Sequence, residues 1–278
     1  MLFKINKNQW LTLFLIALSA TIFRVILQPF IPSSDSISFP PSIIVKKGLL
    51  IPSFIIFALI TYTLLAAVFV RIQHGLPGTR IKKGLLFGIL FCLMWVAYLF
   101  EPLPHVSNAS LTERLAYPAV DGISLIFLGL LLGKFVARDS DGLGEEYRRF
   151  NPVVALVTIP GCFLVLRIFS YKAVHIDSSF TTNPFGTMIW TVVTGIWLGI
   201  MYLLLRSGIE IESSMMKALF FSMVVFGINL FFFNFFVTLV FESNITDLII
   251  RTMVDILSVL VGVFICEKIN PFVKSQPQ

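Results

Sequence analysis

The chain has 278 residues, 57% of them hydrophobic and only 13% charged, with a mean hydropathy of +0.91. A soluble domain carries roughly a quarter charged residues, so a soluble globular fold is excluded. Apolar runs of about 20 residues, each able to cross a bilayer core of about 30 Å, recur along its length. The expected class is all-α: a polytopic helical membrane protein whose first partner is the lipid bilayer. The net charge of +6 fits Lys- and Arg-rich cytoplasmic loops better than a nucleic-acid surface, and no nucleic-acid partner is expected. A β-barrel would show short alternating strands instead.

Lys4 and Lys7 precede the first apolar run, 9–30. A signal peptide would begin this way, with Ala17–Ser19 as a weak cleavage site. The run continues well past that site, so it is expected as a first span. A Pro- and Ser-rich loop, 31–47, has turn chemistry throughout. Spans are then expected at 49–72, 84–103 and 116–136, with a basic turn around Arg80, Lys82 and Lys83 between the second and third. The polar stretch 137–151 reads as a cytoplasmic linker. Four more spans follow at 152–171, 184–205, 217–241 and 247–266, eight in all.

The second set echoes the first. Adding 134 to a residue number carries Lys83 to Lys217, Leu85 to Leu219, Thr112 to Thr246, Asp121 to Asp255, Ser124 to Ser258 and Lys134 to Lys268, with no gap. Arg167 matches Arg24 at a slightly different offset, because the following loop is shorter. The domain organisation read from this is a tandem repeat: four helices in 1–136, the linker, and four helices in 152–278. An even number of spans per unit makes the two units parallel, related by an axis along the membrane normal.

Lys and Arg counting places both termini inside. Only Lys46, Lys47, Arg114 and Lys172 then fall in outer loops, and three arginines lie within spans. The short loops suit a bacterial inner membrane. The sequons at Asn108 and Asn244 fall in outer loops too tight for a glycan. Cys92, Cys162 and Cys266 sit inside apolar runs, without the spacing of a disulfide framework or a zinc site.

Candidate functional residues are the charges within spans: Arg24, Asp121, Arg167, Arg251 and Asp255. Such charges are costly in lipid and usually face protein or a wet cavity, with a partner. At a rise of about 1.5 Å per residue, Arg24, Asp121 and Arg167 lie about 8 Å below the outer boundary, and Asp255 about 12 Å. Matching depths predict the pairs Arg24–Asp121 and Arg167–Asp255, with Arg24–Asp255 as the alternative. Arg251, one turn before Asp255, has no evident partner and is expected to face an outward cavity that attracts an anionic group.

Thr61, Thr63, Asn229 and Asn234 are candidate path-lining polar residues, or else helix-to-helix hydrogen bonds. Glu101 with His105 and His175 with Asp177 are isolated pairs that imply no metal, and no cofactor is expected. No HExxH, GxSxG or P-loop spacing occurs, so the reading is not an enzyme. Two functions compete: a carrier or channel for a small or anionic solute with a path between the repeats, and a non-catalytic subunit, chaperone or regulator that binds another membrane protein.

Overall fold

The computed structural model describes residues 7–31, 40–102, 111–139 and 150–270, leaving out the side chains of 111–114, 117 and 118. Seven helices among them are long and apolar enough to cross a membrane. They are α1 (Lys7–Leu27), α2 (Leu50–Ile72), α3 (Arg80–Leu99), α5 (Pro152–Phe169), α6 (Pro184–Leu205), α7 (Ser214–Val240) and α8 (Ile245–Ile269), with α4 (Leu111–Phe135) a further long helix lying against α3. Each is apolar on nearly every face, as a helix flanked by both protein and lipid must be. Large apolar side chains such as Ile51, Val157, Phe169, Phe185 and Met253 point outward. These features suit an integral membrane protein.

Polar residues start the helices. Asn151, Asn183, Ser213 and Asn244 cap α5, α6, α7 and α8 by accepting a backbone N–H of the first turn. Asn244 is the asparagine of one sequon; its side chain is committed to that cap. Asn108 lies outside the described residues.

Three local features depart from the sequence reading. The loop 31–47 is not wholly irregular: Ser42 caps a one-turn helix, Ile43–Lys46. Pro40–Ser42 pairs with the end of α7, through Ser42 N–H to the Val240 carbonyl and Glu242 N–H to the Pro40 carbonyl. The stretch Phe220–Gly227 inside α7 is π-helical, a widening that apolar periodicity does not reveal. The helix expected at 116–136 begins earlier, at Leu111.

Packing divides the helices into two groups. α1 packs on α2 and α4, and α3 on α4; α5 packs on α6 and α8, and α7 on α8. Two seams join the groups, α2 on α7 and α3 on α6. The α3–α4 contact is the closest. A Cβ added to Gly84 would lie 2.1 Å from the Gly129 carbonyl oxygen, and one added to Gly129 would lie 2.3 Å from that of Gly84. The GxxxG spacing of Gly129 and Gly133 thus serves contact within the chain.

Candidate functional site

Two charged sites lie near the same end of the bundle, each built where the last turn of one helix meets the carboxylate of another. In the first, Arg24 of α1 donates from Nε to Asp121 Oδ1 of α4 at 2.5 Å and from Nη1 to Gln28 at 2.8 Å. The guanidinium lies over the Phe54 ring, 5.2 Å from its centroid. Nη2 has no hydrogen-bond partner among the described residues. The Arg24 side chain is 2% exposed and that of Asp121 13%.

The second site is larger and closed. Arg167 of α5 grips Asp255 of α8 with two parallel bonds, Nε to Oδ1 at 2.6 Å and Nη2 to Oδ2 at 2.5 Å, a geometry that favours arginine over lysine. Its Nη1 reaches Glu101 at 2.8 Å, at the end of α3. Tyr98, one helical turn earlier, donates to Asp255 Oδ2 at 3.0 Å. Arg167 and Asp255 are both fully shielded from solvent.

The expectation for Arg251 is overturned. It is buried and held by its two outer nitrogens, Nη1 lying 2.8 Å from Glu101 Oε1 and Nη2 lying 3.3 Å from Asp247 and also donating to the Asp177 carbonyl, while Nε is buried without a partner among the described residues. The depth argument paired residues one by one and overlooked Glu101, which comes from the other helix group. Arg167, Arg251, Asp255 and Glu101 together carry no net charge, which is how such a cluster survives away from water.

The polar candidates fall into two kinds. Thr61 and Thr63 donate to carbonyls of their own helix, Phe57 and Leu59. Asn229 accepts from Trp95 Nε1 at 2.7 Å and Asn234 donates to Thr252 at 2.8 Å, so both asparagines bond between helices. Glu101 is bound by two arginines; His105 lies outside the described residues. No group of three metal-ligating side chains occurs among the described residues.

A third cluster escaped the sequence reading. At the opposite end of the bundle, Glu267 of α8 accepts from Tyr202 and lies 3.5 Å from both Arg206 and Lys217. Arg206 also stacks over Phe150, 3.7 Å from its centroid. Here too a signal existed. By the 134 offset Glu267 answers to Gly133 and Arg206 to Ile72, so both new charges are departures from the first half.

A small cavity of about 30 Å³ adjoins the first site. Arg24, Asp121, Thr61, Tyr62, Trp95 and Phe236 are among its lining residues, so its walls come from α1, α2, α3, α4 and also α7. That volume holds one or two waters. Comparison with protein-family models, with curated proteins and with solved structures found no match to this chain.

Proposed function

We propose that this chain is an eight-span carrier for a small solute, built from two tandem four-helix units, with its path in the seam between them. The observation that carries this reading is the cavity at Arg24 and Asp121, walled by the first helix group and closed by Phe236 of the second. Repeated transporters commonly hold their sites at such an interface. Catalysis is no part of the reading.

The tandem arrangement draws support from the contacts. The packing of α1 on α2 and α4 and of α3 on α4 has its counterpart in α5 on α6 and α8 and α7 on α8. The two seams exchange under the same correspondence. Trp95 and Asn229, which touch, are separated by 134 positions. A residue meets its own counterpart only beside the axis relating two copies. The one-turn segments Gln73–Gly75 and Arg206–Gly208, again near counterparts, also touch, with Ser207 donating to the Gly75 carbonyl at 2.6 Å.

Both termini and the linker 137–151 are placed in the cytoplasm in this reading. Reporter fusions at Asp141 are expected on the cytoplasmic side, and at Asn108 outside. Finding both on one side would remove the eight-span topology.

The path itself is tested by cysteine accessibility. With Cys92, Cys162 and Cys266 replaced by alanine, cysteines at Thr61 and Phe57 are expected to react with a membrane-impermeant thiol reagent added outside. Cysteines at Ser258 and Val259, buried in α8, are expected to stay unlabelled. If Thr61 and Phe57 are as inert as those controls, there is no water path and the carrier reading fails. The alternative, a non-catalytic component that binds another membrane protein, draws on the closed Arg167–Asp255 cluster, which a purely structural role would explain.

A further inference from the structure

We infer that the Arg24–Asp121 site exchanges a proton together with one small monovalent anion, and that the Arg167–Asp255 site does not exchange ligands. This rests on the carrier reading and names its substrate class.

The two arginines differ in what they have left to offer. Every nitrogen of Arg167 is engaged: two on Asp255 and one on Glu101. Arg24 has a single bond to Asp121 and one to Gln28. Its Nη2 is without a partner among the described residues, although the side chain is 2% exposed and lines the cavity. A guanidinium donor that opens on an empty space can take an acceptor, whereas the unmatched Arg251 Nε of the second site is sealed, with no space beside it among the described residues. Asp121, 13% exposed, borders the same space. By the 134 offset the position answering to Glu101, which fills the second site, is Phe235; among the described residues no such carboxylate stands at the first site.

Charge balance then limits the occupant. In a low-dielectric interior the site is stable only near neutrality. Two arrangements satisfy this. In one, the Asp121 carboxylate neutralises Arg24. In the other, Asp121 takes a proton from water, forming a neutral carboxylic acid, and an anion takes its place on the guanidinium. The proton and the anion must therefore arrive together and leave together, and no net charge moves. A cavity of about 30 Å³ limits the anion to the size of one or two waters, such as a halide or nitrate.

The test uses the purified full chain in phosphatidylcholine and phosphatidylglycerol vesicles containing a pH-sensitive dye. An inward sodium chloride or sodium nitrate gradient is expected to acidify the lumen at least tenfold faster than in protein-free vesicles. The rate should be unchanged when valinomycin and potassium clamp the voltage. Asp121→Asn is expected to abolish the acidification. The double variant Arg24→Gln/Asp121→Asn, which removes the pair as a neutral unit, is expected to fold and also to be silent. Acidification that persists in the double variant, or that requires voltage, overturns the proposal. No acidification by the wild type overturns it as well; if Thr61→Cys is still labelled from outside, the substrate class has failed and the carrier reading stands.

Discussion

Asp255→Asn is expected to cost about 3–5 kcal/mol, the usual penalty for removing one partner of a buried ion pair. Arg167 would then face a neutral amide, with Glu101 shared between two arginines only 2.8 Å from its carboxylate. Most of the protein should disappear from the membrane fraction, and what remains should unfold in detergent at a clearly lower temperature. Replacing the pair together, Arg167→Met with Asp255→Leu, should cost much less, because Glu101 and Arg251 remain as a matched pair. Asp121→Asn should be milder than Asp255→Asn, since Asp121 is partly exposed and singly bonded. Melting curves of the four proteins decide the matter. An Asp255→Asn protein as stable as the wild type would mean that the cluster does not hold the bundle together.

Gly84→Leu and Gly129→Leu are the other severe substitutions. Overpacking a core typically costs about 1–3 kcal/mol, but that figure assumes side chains that can move aside. Here the obstacle to a Cβ is a carbonyl oxygen, 2.1 Å away at Gly84 and 2.3 Å at Gly129. Two helix backbones must separate, opening the whole α3–α4 contact, so a loss beyond that range is expected. Gly161 provides the control. A Cβ there meets nothing within 4 Å, and Gly161→Ala should stabilise α5 by up to about 1 kcal/mol, the helix-propensity difference. Equal expression of Gly84→Leu and Gly161→Ala would contradict the close packing of α3 on α4.

Much of the helical plan was legible because bilayer crossing demands long apolar runs, and few other structures need them. The pairing of Arg24 with Asp121 and Arg167 with Asp255 was legible because depth follows from position along a helix. Position along a helix says nothing of azimuth, and there the reading ran out. Glu101 was read only as one of an isolated pair with His105, and Arg251 as facing open space, although the two meet. A common signal connects them: both break the 134 offset, with Phe235 and Tyr117 as counterparts. Glu267 and Arg206 break it too, opposite Gly133 and Ile72, and they also lie together. Charges that depart from an internal echo were the ones to pair with each other. The π-helical turn of α7 left no comparable trace, since Phe220–Gly227 is as apolar as its neighbours.

The two seams differ in what crosses them. Glu101 and Tyr98 of α3 reach the Arg167–Asp255 cluster, while Trp190 and Trp197 of α6 donate to the Ala97 and Leu90 carbonyls of α3. Between α2 and α7 the ring contacts are phenylalanine on phenylalanine: Phe54 with Phe236, and Phe57 with Phe232. Hydrogen bonds and ion pairs break over a few tenths of an ångström and resist sliding; ring contacts keep most of their attraction as they slip. The α3–α6 seam is therefore the stiffer of the two, although the segment before α2 is also bonded to the end of α7. Slippage between the two helix groups is easiest along the ring-lined part of the α2–α7 seam, within the limit set by the pairing of Pro40–Ser42 with the end of α7.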